Sequence, residues 1–126
     1  MTTHNKKQFG VWMDTRQATI VGKADPEAAD FVVLGHVKND GPDKNSNENA
    51  ANHQESALTH KYFKEIAALM PNVNEVYVTG TGQVQEEFIH FLGRTPQFKH
   101  AVCSESTSNK MGEELLLALV SKHFKR

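Results

Sequence analysis

The sequence predicts an α/β fold, a five-stranded mixed sheet with helices packed on it. Three observations carry that reading. Short β-branched and aromatic runs fill the first third of the chain, helical spacing appears only after the polar stretch Lys38–Gln54, and from there helices and strands alternate. With 126 residues and 38% hydrophobic content, the chain can build one core and is too short for two. Residues 1–8 read as an N-terminal tail and residues 9–126 as the domain.

"FGVWMD" (Phe9–Asp14) and "QATIVGK" (Gln17–Lys23) are β-rich runs parted by "TR", the signature of a hairpin. "FVVLGHV" (Phe31–Val37) is a third strand, entered through the turn-like "ADPEAAD". Composition then changes. "KNDGPDKNSNENAANHQ" (Lys38–Gln54) is almost wholly polar, carries five asparagines and has neither period, which predicts a long loop. Leu58, Tyr62, Phe63, Ile66 and Met70 recur at helical spacing, so a helix is expected from about Glu55 to Met70, closed by Pro71.

"EVYVTG" (Glu75–Gly80) is the fourth strand. Val84, Phe88 and Leu92 mark one face of a second helix ending at "GRTP". "FKHAVCS" (Phe98–Ser104) is expected to be the fifth strand. A last helix from about Lys110 to Phe124 would bury Leu115, Leu116, Leu119, Val120 and Phe124. Its terminal Lys122, Lys125 and Arg126 suit the negative end of a helix dipole. Right-handed crossovers place strands four and five beyond strand one, giving the order 3-2-1-4-5. That is a ribonuclease-H-like arrangement.

Charge narrows the function classes. The formal charge is −1, from 14 basic and 15 acidic residues, split almost evenly between the halves of the chain. Composition therefore makes no case for tight nonspecific nucleic-acid binding. "MTTHNKKQ" has no apolar stretch behind its lysines, so no secretory signal is expected, and no run has the length of a membrane span. A cytoplasmic protein with no membrane partner is the expectation. The single cysteine, Cys103, sits in an apolar run and reads as a buried, inert thiol.

"FGVWMDTRQATIVGK" together with "NEVYVTGTGQVQEEFIHFL" resembles the middle domain of the class-1 release factors of eukaryotes and archaea, which the Pelota ribosome-rescue proteins share. It is also similar to small bacterial single-domain proteins of the translational-machinery-like kind. The likeness runs from Phe9 to about Phe124. In release factors of this family the catalytic Gly-Gly-Gln lies in the loop between the third strand and the first helix. The matching segment here, Asn39–Gln54, contains no such tripeptide. Gln54 lies in a suitable region, but Asn52 and His53 precede it and resist the backbone angles that glycine supplies. The resemblance implies a non-catalytic, translation-related accessory protein that contacts RNA or the ribosome. Lys44, Asn47, Asn49, Asn52, His53 and Gln54 would make the contact. No cofactor is expected.

Two other function classes stay open. A small enzyme of the same fold could be a metal-dependent nuclease through Asp14 or a hydrolase through Gln54; a protein-interaction module is the third reading. Two-metal chemistry needs several converging carboxylates. Glu55 could join Asp14, but the fourth strand ends in Val78, Thr79 and Gly80, so the set is incomplete and no metal site is expected. Asp14 is expected instead to bond within the "MDTRQ" turn. His53 and His60, seven apart, would sit about 10 Å apart along a helix, too far for one zinc. "GTGQ" (Gly80–Gln83) lacks the third glycine of a dinucleotide fingerprint and the Lys-Ser/Thr of a P-loop. Thr81, Gly82 and Gln83 could hold an anion at a helix N-terminus, against a plain strand-to-helix turn capped by Thr81. Trp12 reads as core.

Overall fold

The computed structural model describes residues 7–23, 30–39 and 59–124. Along the chain run β1 (Gln8–Met13), β2 (Gln17–Lys23), β3 (Phe31–Lys38), β4 (Glu75–Gly80), α2 (Gln83–Arg94), β5 (Val102–Thr107) and α3 (Glu113–Phe124). Before β4, a helix, α1, occupies residues 59–68. The sheet has the order β3-β2-β1-β4-β5. β1 pairs with β2, and β2 with β3, in antiparallel fashion; β1–β4 and β4–β5 are parallel. The predicted fold class and strand order both hold.

Alternation along the strands decides which helix each residue meets. Phe9, Val11 and Met13 of β1, with Val76 and Val78 of β4, point to the face covered by α1 and α2. There they meet Tyr62, Phe63, Ile66, Phe88 and Leu92, all buried. Trp12 and Tyr77 point the other way and share a smaller cluster with Leu116 and Val120 of α3. Trp12 is core as expected, and its indole N–H donates to the Asn109 carbonyl at 3.2 Å. α3 crosses β1 at Gly10, where a Cβ would run into the methyls of Val120.

Boundaries differ from the sequence expectation at β5, at α3 and at the start of α2. β5 begins four residues later, at Val102 instead of Phe98. Phe98 and Ala101 lie in a turn-rich segment and pack against the larger cluster instead. α3 begins at Glu113 instead of Lys110, and Leu115 is 60% exposed while Leu116 and Val120 are buried. In a run of consecutive leucines, only the positions that face the sheet can be buried. The N-cap of α2 is Gly82, not Thr81. Among the described residues, no helix is long and apolar enough to cross a membrane.

Candidate functional site

Because β1, β4 and β5 are parallel, their carboxyl ends share one edge of the sheet. A single row of paired residues crosses it there: Val37, Ala18, Met13, Gly80 and Thr107. In open α/β sheets the crevice outside the carboxyl ends of the strands is the usual place for ligands. Three turns of this chain leave from that row.

The first is organised by Asp14. Its Oδ1 accepts the backbone N–H of Arg16 at 2.7 Å and of Gln17 at 2.8 Å, while its own N–H donates to the Gln17 carbonyl at 2.9 Å. An aspartate folding its own turn in this way is an Asx-type motif. The turn then fastens two other parts of the chain. Asn39, leaving β3, donates its N–H to the Arg16 carbonyl at 2.8 Å and its side-chain amide to the Thr15 carbonyl at 3.1 Å. Tyr62, in α1, donates its hydroxyl to the Asp14 carbonyl at 2.9 Å. The Tyr62 side chain is buried, and burial, aided by the nearby Asp14 charge, holds its phenol far above the ordinary tyrosine range. Both described flanks of the polar segment are therefore tied to the β1–β2 turn. Lys44, Asn47, Asn49, Asn52, His53, Gln54 and Glu55 lie outside the described residues.

The second turn joins β4 to α2. Gly80 is required there, since a side chain would fall on the Met13 carbonyl oxygen. Gly82 is in extended backbone, and a Cβ on it would touch nothing. The Gly82 N–H is taken by Gln85 Oε1 at 3.2 Å, half of a capping box. Gln85 is fully buried and also donates from Nε2 to the Ser106 carbonyl at 3.1 Å. It bridges the start of α2 to β5. In the sequence it stands where a dinucleotide fingerprint beginning at Gly80 would have its third glycine. Around Thr81, Gly82 and Gln83, then, one of the N–H groups that an anion would use is already occupied, and Glu86 brings a negative charge into the first turn.

The third turn follows β5. Ser108 donates its N–H to the Gly80 carbonyl at 2.7 Å and ends a chain of hydroxyls. Ser106 donates to Thr79 at 2.9 Å, so its one proton is spent, and Tyr77 must be the donor in the 2.7 Å bond to Ser106. Thr79 meets Ser108 at 2.7 Å.

The remaining candidate chemistry is dispersed. His60 lies edge-on to Phe91, His123 stacks on Tyr77 with centroids 4.2 Å apart, and His36 pairs with Glu113 at the exposed surface. The Cys103 thiol is half-buried and burial pushes its pKa up, which disfavours the reactive thiolate. Among the described residues, no group of three or more His, Cys, Asp or Glu side chains is placed to hold a metal ion.

No protein-family model matches the sequence, and no curated protein does. Solved structures match the fold. The archaeal translation termination factor aRF1 aligns over 94% of this chain and 35% of its own, with a TM-score of 0.62 and 17% identity. The Thermoplasma acidophilum Pelota protein aligns over 86% of this chain and 30% of its own, with a TM-score of 0.58 and 16% identity. A structure of ribosome-bound archaeal Pelota and ABCE1 aligns over 92% of this chain and 32% of that one, with a TM-score of 0.53 and 18% identity. The chain thus spans about a third of the length of each. The likeness expected from the two sequence stretches is present at the level of fold.

Proposed function

We propose that this protein is a non-catalytic, translation-related accessory factor that contacts RNA or the ribosome through the carboxyl edge of its sheet. The contact would be made by the polar segment rooted there, with Lys44, Asn47, Asn49, Asn52, His53 and Gln54 as its contact residues. The observation that carries this reading is the anchoring of both described flanks of that segment to the Asp14 turn. A long polar insertion buries little apolar surface, yet its loop-closure cost grows only slowly with length, so a fixed root leaves it available for a partner. The fold likeness to Pelota and aRF1, and the ribosome-bound state of one such Pelota, support the choice of partner.

Nuclease and hydrolase readings have less support. Asp14 spends one carboxylate oxygen on two backbone N–H groups, and Gln54 lacks the two glycines that present a glutamine backbone to an ester. The test is co-sedimentation with ribosomes. Residues 40–54 are replaced by a short glycine-serine link, keeping Asn39 because it closes the β3 end. The parent protein should sediment with ribosomes, and the shortened one should stay in the supernatant with an unchanged melting temperature. Equal sedimentation of both proteins, or of neither, defeats the reading.

A further inference from the structure

Between α1 and α2, on the outer side of the helical layer, lies a cavity of about 280 Å³. It exists because Ala67 and Ala68 follow His60 and Lys64 on the same face of α1, and their small side chains leave space opposite Phe91 and Phe98. Thr95, at the exit of α2, also lines it, with its hydroxyl spent on the Phe91 carbonyl at 2.7 Å. The walls are aromatic: Phe91, itself buried against Phe63 and Phe88, meets the exposed His60 ring at an interplanar angle of 84°, and Phe98 is half-buried, so His60 and Phe98 are the rings with open surface. The rim is polar and cationic, with Lys64 and Gln97 both exposed. No carboxylate is among the described lining residues.

We infer that this slot takes one unpaired nucleotide of an RNA strand. The inference rests on the RNA-contacting reading above and assigns a second contact to it. The chemistry is complementary in three respects. A base is a flat π-system, which aromatic side chains accept by stacking. The Gln97 amide offers both a donor and an acceptor to a base edge. The Lys64 ammonium is a point charge suited to a single phosphate. Size separates this ligand from larger ones. Ligand pockets run from about 300 to 1,000 Å³, so a space just under that range matches one base better than a dinucleotide cofactor. A free nucleoside triphosphate would need several donors around its phosphates, and the described lining residues include one lysine. Tyr62, the tether to the Asp14 turn, lies within one helical turn of His60 and Lys64 along α1, but on the buried face that meets the sheet.

The test uses fluorescence anisotropy with a labelled oligoadenylate of about eight nucleotides, a length that fills a single-strand site. Three proteins are compared: the parent, Ala68→Trp, which fills the slot from an exposed position, and Lys64→Ala, which leaves the packing untouched. Ala68→Trp should weaken binding about tenfold or more, the effect of losing one stacked base. Lys64→Ala should lower the salt dependence of binding by about 0.7 in the logarithmic slope, one single-strand phosphate. Annealing the oligonucleotide to its complement should abolish the Ala68→Trp effect, because a paired base cannot enter. Unchanged affinity in both variants overturns the inference, and it leaves the ribosome reading intact if the protein shortened at residues 40–54 still loses co-sedimentation. If adenosine monophosphate binds the parent as tightly as the oligonucleotide does and Ala68→Trp blocks both, the slot serves a free nucleotide and the RNA assignment fails. Should Ala68→Trp not fold, the salt slope of Lys64→Ala decides alone.

Discussion

On the face covered by α1 and α2, Phe63, Phe88 and Phe91 close on one another with ring centroids 5.4 to 6.2 Å apart, over a floor of strand valines. On the opposite face a single helix, α3, packs along β1 and β3, and the outer half of the sheet is finished with hydroxyls. Tyr77, Ser106, Thr79 and Ser108 bond to one another along β4 and β5 where the first face has phenylalanines. The difference follows from how far α3 reaches: Tyr77 and Thr79 of β4 are buried beside it, while Ser106 and Ser108, on and just beyond β5, are only half-buried. An apolar side chain stabilises a sheet only where something lies over it to exclude water, whereas a hydroxyl can be satisfied by its neighbour on the next strand. Two kinds of surface result: one closed by area, the other by hydrogen bonds.

The largest expected effect tests the closed face. Phe88 is fully buried and touches both of the other phenylalanines. Phe88→Ala should cost about 3–5 kcal/mol, the transfer loss plus the cavity left behind. Urea unfolding followed by far-UV circular dichroism measures it. A cost under about 2 kcal/mol would mean that the helices collapse into the space and that this face is looser than the ring contacts indicate.

A smaller effect sharpens the other side of the comparison. Thr79→Val keeps the shape of a fully buried side chain and removes the oxygen that Ser106 and Ser108 share. The expected cost is about 1–3 kcal/mol, at the low end because both serines are half-buried and can turn towards water. If Thr79→Val proves as stable as the parent in the same urea titration, the hydroxyl chain fills space and does not hold β5 in place.

This contrast also explains which parts of the fold could be read from the sequence. β1 through β4 are legible because each is a short run rich in β-branched and aromatic residues, bounded by turn residues or by a change to polar composition. β5 is not, since "VCSEST" gains its place through hydroxyl pairing and the exposed Val102, while the more strand-like "FKHA" packs as a turn. The buried face of α3 is obscured for a related reason: three consecutive leucines carry no period, and only packing on β1 distinguishes Leu116 from Leu115. At the candidate site, Asp14 is recognisable as a turn residue from its neighbours. Its role in fastening Asn39 and Tyr62 is not, because those bonds span 24 and 48 residues and no local pattern encodes them. Gln85 is hidden the same way, as a buried amide whose partners lie on another strand.

The smallest effect concerns the junction of the closed face with the carboxyl edge. Tyr62 belongs to the apolar cluster by its ring and to the Asp14 turn by its hydroxyl. Tyr62→Phe keeps the ring and removes one hydrogen bond, so it should cost about 0.5–1.5 kcal/mol near neutral pH. The pH dependence identifies the cause. An ordinary tyrosine has a pKa of 10.0, and in the folded chain burial and the Asp14 charge keep this phenol protonated well beyond that. Below pH 10 the group is protonated in both folded and unfolded states and contributes no slope. Above it the unfolded chain releases a proton that the folded chain retains, so the unfolded state binds fewer protons and stability falls as pH rises. The fall from this one group approaches about 1.4 kcal/mol per pH unit. Chemical denaturation between pH 9 and pH 11.5 should therefore show the parent losing stability faster than Tyr62→Phe, with the two curves converging as the advantage of the hydroxyl is lost. Parallel curves would mean that the phenol ionises as freely in the folded protein as in the unfolded chain. The tether between α1 and the Asp14 turn would then be open to water, and the root of the polar segment would be looser than its hydrogen bonds describe.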